Sequence, residues 1–103
     1  MTRAVVWSVA ALDDLDAAVA YIGADNPTAA ERVAASIRLT GNRLGEMATG
    51  KPGRNAGVYE KLVPGVPYVL AYALHAYPEL REAVVILRVI HGARDWPQGR
   101  WPE

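Results

Sequence analysis

The sequence predicts an α+β fold in which an N-terminal strand and an antiparallel hairpin of two helices pack on a small antiparallel β-sheet, in the order β-α-α-β-β-β. Two amphipathic helical patterns fill the first half of the chain, and strand-like runs fill the second half. The length of 103 residues corresponds to one domain, so we expect residues 1–103 to fold as a single unit.

The first half begins with a short apolar run at residues 4–7, which predicts a strand, and continues into two helices. Ser8 can cap the first helix, whose apolar stripe recurs at helical spacing: Leu12, Leu15, Val19 and Ile22. Asn26 and Pro27 form a cap and a first-turn proline that start a second helix. We expect this helix to end at Gly45 or Gly50, after the stripe Ala30, Val33, Ile37, Leu44 and Met47.

From residue 50 the pattern favours strands. Residues 50–57 are rich in turn formers and predict a loop, and residues 58–63 predict a strand. A turn at Pro64-Gly65 leads to an alternating strand at residues 68–74. Residues 84–90 are so apolar that we expect an interior strand.

Composition excludes several classes of protein. A chain that is 51% apolar and 21% charged is typical of a packed domain, and the absence of cysteine excludes disulfides and cysteine nucleophiles. Eleven basic residues balance eleven acidic ones, which disfavours nucleic-acid binding. The sequence contains neither a signal peptide nor an apolar run long enough to span a membrane. We therefore expect a cytoplasmic protein.

Few residues offer catalytic chemistry. The chain has no phosphate-binding loop and no nucleophile elbow, and with two histidines as imidazole ligands we expect neither a metal nor a cofactor. The remaining polar candidates are expected to converge on one edge of the sheet: Lys51, Arg54, Glu60, Lys61, Arg88, His91, Arg94 and Asp95. Such a cluster could cleave a phosphodiester, or it could hold the C-terminal tail to the sheet by ion pairs.

For several other residues, the sequence is compatible with either a structural or a functional role. Trp96 and Trp101 either cover the edge of the core or anchor a partner protein. Arg88 interrupts an apolar strand, so its face is expected to be open to solvent or to a partner. Residues 32–54 carry five basic residues against one acidic residue, and this stretch is either a partner surface or a solvated helix face.

Several stretches of the chain occur in a characteristic order. Leu12-Asp13-Asp14-Leu15 and Tyr21-Ile22 are followed by Asn26-Pro27-Thr28-Ala29-Ala30, Gly53-Arg54, and the run from Val63 to Tyr72. The closing run Val85-Ile86-Leu87-Arg88-Val89-Ile90-His91-Gly92-Ala93-Arg94-Asp95-Trp96-Pro97 is the most specific of them. Together, from about Ala4 to Pro97, they resemble the RelE/ParE family of bacterial type II toxins.

The resemblance implies the fold described above and a toxin encoded beside an antitoxin. One branch of the family, RelE-like, cleaves messenger RNA on the ribosome with basic residues and often a C-terminal tyrosine or histidine; the ParE-like branch inhibits DNA gyrase. This sequence is closer to the ParE-like branch, because its net charge is zero and its last tyrosine is Tyr77. It also departs from the family at Tyr59, where an arginine often precedes the glutamate.

We therefore expect a ParE-like toxin that binds a topoisomerase, DNA gyrase, and is neutralised by a ParD-like antitoxin with a disordered acidic or amphipathic segment. The expected partner contacts are Arg38, Arg43, Arg54, Arg88, Arg94, Trp96 and Trp101. Two alternatives remain open: a ribosome-dependent mRNA endoribonuclease, and an inactive relative that only binds antitoxin. The nuclease would use Lys51, Arg54, His91 and Arg94.

Overall fold

A computed structural model describes residues 2–53, 56–79 and 81–92, with only the backbone of Arg81. Two helices and five strands follow one another along the chain: β1 (Val5–Trp7), α1 (Val9–Gly23), α2 (Pro27–Arg43), β2 (Lys51–Pro52), β3 (Tyr59–Leu62), β4 (Tyr68–Tyr77) and β5 (Arg81–His91). The strands form one sheet in the order β1-β5-β4-β3-β2. This is the predicted α+β architecture.

Both helices begin at the predicted caps. The Ser8 hydroxyl and the Asn26 side-chain carbonyl each accept a hydrogen bond of 3.0 Å from the backbone N–H three residues later. These bonds satisfy N–H groups that have no partner inside a helix. The second helix ends at Arg43, before either expected glycine. Met47 therefore lies outside the helix, with 68% of its surface exposed, and the predicted stripe is wrong at this last member.

The sheet differs from the prediction at its two edges. Strands β2 to β5 pair antiparallel, whereas β1 joins β5 in parallel. A parallel pair needs a long crossover connection rather than a hairpin, and the helical hairpin is part of that connection. The predicted loop at residues 50–57 contains the two-residue strand β2. The hairpin of β4 and β5 extends beyond its predicted ends, since it includes residues 75–77 and 81–83.

The main core lies between the helical hairpin and one face of the sheet. The side chains of Leu15, Ile37 and Tyr72 are almost fully buried in it. The Tyr72 hydroxyl accepts a hydrogen bond of 2.9 Å from the backbone N–H of Gly50, which fastens the segment after α2 to the sheet. Burial raises the pKa of the Tyr72 hydroxyl above its ordinary value.

Candidate functional site

The structure does not bring Lys51 and His91 together. Lys51 lies on β2 and His91 at the end of β5, with β3 and β4 between them. Neighbouring strands are about 4.8 Å apart, so these positions are separated by roughly 14 Å across the sheet. They also differ in register, because Lys51 is level with Arg88, whereas His91 is level with Tyr68. The backbone positions of the two residues are therefore well separated on the sheet.

His91 and Lys51 line different depressions of the surface. The imidazole of His91 packs edge-on against the ring of Tyr68, with centroids 5.5 Å apart. It lines a groove of about 480 Å³ whose opposite wall is α1, including Asp14 and Tyr21. Lys51 lines a separate depression of about 380 Å³ together with Glu60 and Leu62 of β3, and this depression extends to Gly92.

The guanidinium of Arg88 is bound within the protein. Its Nε and Nη2 donate to the two carboxylate oxygens of Asp14 at 2.7 and 2.9 Å. The side chains are only 28% and 17% exposed. This charge-assisted pair raises the pKa of Arg88 above its ordinary value, so the residue remains a cation. Arg88 was expected on a face open to solvent or to a partner; it lines the same groove as His91, and its guanidinium also bonds to Asp14 of α1.

Asp14 occupies this position because β1 is shorter than β5. β1 pairs with β5 only as far as Ile86, and a bulge at Leu87 then shifts the register. Two side chains of the α1 region replace the missing strand. The Ser8 hydroxyl donates to the carbonyl of Leu87, and Asp14 Oδ2 accepts from the N–H of Val89, both at 2.9 Å. The arginine within an apolar strand was the signal that a carboxylate should lie nearby.

A basic groove lies between α2 and the turn that joins β3 to β4. Two adjoining depressions of about 310 and 270 Å³ both contact Pro64. Their charged lining consists of Arg32, Arg43 and Lys61 together with one acidic residue, Glu46. In the described part of the chain, Arg32 and Arg43 form no ion pair. The groove therefore offers unneutralised guanidinium groups beside apolar side chains.

Other predicted site residues have different positions. Arg38 is exposed on α2, whereas Arg54, Arg94, Trp96 and Trp101 lie outside the described residues. Over residues 2–53, 56–79 and 81–92, no three acidic or histidine side chains are grouped so that they could hold a metal ion. No helix in the same segments is both long and apolar enough to cross a membrane.

Comparison with known proteins identifies the family. Residues 5–96 match the family described as the ParE toxin of the type II toxin-antitoxin system, parDE. The chain belongs to the ParE toxin family. The predicted resemblance to RelE/ParE toxins, closer to the ParE branch, is confirmed.

This ParE-family toxin has relatives among known sequences and structures. It is 38% identical over 93 residues to "Putative toxin Y4kP" of Sinorhizobium fredii (strain NBRC 101917 / NGR234), covering 89% of this chain and 91% of that protein. Its fold is similar to a chain of the chromosomal ParDE TA system from P. aeruginosa, with a TM-score of 0.77 and 20% identity, covering 87% of this chain and 96% of that one. It is also similar to a chain of the toxin-antitoxin complex RelBE2 from Mycobacterium tuberculosis, with a TM-score of 0.58 and 25% identity. The match covers 88% of this chain and 99% of that one.

Proposed function

We propose that the toxin arrests growth by binding DNA gyrase and performs no chemistry of its own. The observation that carries this proposal is the separation of Lys51 from His91, together with the engagement of Arg88 by Asp14. Cleavage of RNA requires an acid or base and cations within hydrogen-bond reach of one phosphodiester. Membership of the ParE family supports the same choice. Binding to gyrase requires that the toxin act in the cytoplasm.

Growth arrest by single variants tests this proposal. Lys51→Ala and His91→Ala are each expressed in growing cells without antitoxin, with His75→Ala as the matched histidine control. We expect all three variants to arrest growth as the wild type does, because a binding toxin needs no proton transfer at these positions. Circular dichroism checks that each variant folds.

The alternatives give different results in the same experiment. If the toxin is instead a nuclease, His91→Ala should lose both growth arrest and messenger RNA cleavage, whereas His75→Ala should retain both. Failure of the wild type itself to arrest growth would identify an inactive relative that only binds antitoxin.

We propose further that a ParD-like antitoxin is the toxin's natural partner and binds the groove along α2. The two similar structures come from toxin-antitoxin systems, and an acidic amphipathic segment complements the cations of the groove. Arg43 lines this groove. Arg38 lies five residues earlier, about 140° around the helix, on a separate surface that remains available to the target.

Charge reversal distinguishes these two surfaces. We expect Arg43→Glu to weaken antitoxin binding by about tenfold or more, because it places a carboxylate opposite the acidic segment. Arg38→Glu should leave this affinity within about twofold. Titration calorimetry with purified antitoxin measures both. A loss confined to Arg38→Glu would place the antitoxin on the outer face of the hairpin instead.

A further inference from the structure

The sheet has a second apolar face, which is turned away from the helical hairpin. Side chains along a strand alternate between the two faces of a sheet. Leu70 and Val89 belong to the main core, to which both helices contribute, so their neighbours Val69 and Ile90 are directed to the opposite side. Val69 and Ile90 are register partners on β4 and β5. They therefore lie side by side on this second face.

The second face is covered at this pair and open beside it. Val69 is 5% exposed and Ile90 is 1% exposed, although neither described helix packs on this side of the sheet. Leu62 is the register partner of Val69 on β3 and shares its face, yet it is 67% exposed. The cover over β4 and β5 is therefore local and ends before it reaches Leu62.

The chain leaves β5 directly beside the buried pair. The N–H of Gly92 donates to the carbonyl of Pro67 at 2.8 Å, which fixes this point of the chain next to the beginning of β4. A β-carbon at Gly92 would lie 3.6 Å from Cγ2 of Val69, and both residues line the same depression. Residues 93–103 continue from this point, so they start within contact distance of the second face.

The other segments outside the described residues are attached farther away. Leu80 connects β4 to β5 at the other end of their hairpin, roughly 26 Å along the strand from Val69. Residue 1 precedes β1, whose parallel pairing with β5 begins at Val84, so it is attached toward that same distant end. Residues 54–55 join β2 to β3, and β4 separates β3 from β5. The segment after Gly92 is thus the one that starts beside the pair.

We propose that the segment after Gly92 folds back over the second face and that Trp96 packs on Val69 and Ile90. Trp96 is the first large apolar side chain after Gly92. The chain from Gly92 to Trp96 spans up to about 14 Å, whereas the two paired residues are only about 5 Å apart, so the indole can reach both. A tryptophan buries roughly 150–250 Å², which is enough to close two aliphatic side chains and leave Leu62 exposed. Trp96 then belongs to the toxin's own core and is not a partner contact.

Nuclear Overhauser contacts in the full-length wild-type toxin test this placement directly. The chain contains three tryptophans, Trp7, Trp96 and Trp101, and the single variants Trp96→Phe and Trp101→Phe assign their indole signals. We expect the ring protons of Trp96 to show contacts with the methyl groups of Val69 and Ile90. Contacts from Trp101 in place of Trp96, or from neither ring, would overturn the proposal. This measurement does not depend on whether a variant folds.

Removal of the indole tests whether it provides the cover. A soluble paramagnetic agent broadens the methyl signals that solvent reaches, and the exposed methyl groups of Leu62 serve as the internal reference. We expect Trp96→Ala to increase the broadening at Val69 and Ile90 by about threefold or more, because the ring no longer shields them. Trp101→Ala is the matched control and should leave it unchanged, and Trp96→Phe, which retains a ring, should restore most of the protection. Unchanged methyl signals of Leu70 show that the main core remains folded.

Antitoxin affinity separates this role from a partner contact. The groove proposed for the antitoxin lies along α2, on the other side of the sheet, so we expect Trp96→Ala to bind purified antitoxin within about twofold of the wild type. The proposal does not rest on the proposed function, because the two methyl measurements need no partner. If Trp96→Ala weakens antitoxin binding while Val69 and Ile90 stay protected from the paramagnetic agent, Trp96 contacts the partner and the proposal is overturned.

Discussion

Gly41 lies near the end of α2, where glycine ordinarily destabilises a helix by about 1 kcal/mol relative to alanine. Here the missing side chain makes room for the sheet. A β-carbon at this position would lie 2.7 Å from Cη2 of Trp7 and 2.9 Å from Cδ1 of Ile86. The indole N–H of Trp7 also donates to Asn42 Oδ1 at 3.0 Å, which hinders the ring from moving aside. The glycine therefore allows α2 to approach β1 and β5.

This close approach reverses the usual effect of alanine at a helical glycine. We expect Gly41→Ala to lower the free energy of unfolding by about 1–3 kcal/mol, because the added methyl group overpacks the core. Gly23→Ala is the matched control: its β-carbon would meet only Ala30, at 3.6 Å, and should be neutral or stabilising. Urea unfolding measures both. Equal stability of Gly41→Ala and the wild type would show that the indole moves freely.

The sequence alone identifies Gly41 only as a weak point in a helix. Trp7, which occupies the space beside it, lies far away along the chain. The caps at Ser8 and Asn26 are predictable for the opposite reason, since each acts on a backbone N–H three residues later. Local hydrogen bonds are therefore readable from sequence, whereas contacts between distant segments are not.

At the scale of elements, α1 and β5 are joined by the carboxylate of Asp14. This carboxylate accepts two hydrogen bonds from Arg88 and one from the N–H of Val89. It completes the strand edge that β1 leaves uncovered and neutralises a half-buried guanidinium. Removal of the carboxylate leaves that cation and a backbone donor without their partner, which costs more than the net gain from an ordinary hydrogen bond.

We expect Asp14→Ala to lower the free energy of unfolding by about 2–4 kcal/mol. Asp14→Asn should lower the free energy of unfolding by roughly half as much, because the amide oxygen of asparagine can still accept a hydrogen bond from the N–H of Val89. Asp13→Ala, which changes the exposed neighbouring carboxylate, should alter stability by less than about 0.5 kcal/mol. Denaturant unfolding of the three variants provides the comparison. Asp14→Ala behaving like Asp13→Ala would contradict a stabilising role for this contact.

The sequence predicts the elements of this fold more completely than their arrangement. Hydrophobic spacing predicts both helices and the strands β3 to β5, whereas β2 is two residues long and ends in a proline. Strand order is a non-local property, so the separation of Lys51 from His91 becomes visible only in the sheet. The sequence also does not show which aspartate binds Arg88, because Asp14 is one of three aspartates in the same helix.

At the scale of the whole molecule, the fold does not determine the target. Chains of both a ParDE and a RelBE2 assembly share this architecture, and one fold can host different functions. The proposed function is therefore argued from the polar groups of this chain. Asp14 neutralises Arg88, and Lys51 is separated from His91 by two strands. Arg32 and Arg43, which form no ion pair within the described residues, line the groove proposed to bind antitoxin.

The most direct test of the proposed function is a supercoiling assay with purified DNA gyrase and purified toxin. We expect the toxin to inhibit supercoiling or to accumulate cleaved DNA complexes, and we expect prior addition of the cognate antitoxin to prevent this effect. An equal concentration of heat-unfolded toxin is the control. Undisturbed supercoiling in the presence of folded toxin that arrests growth in cells would contradict the proposal and direct the search to the ribosome.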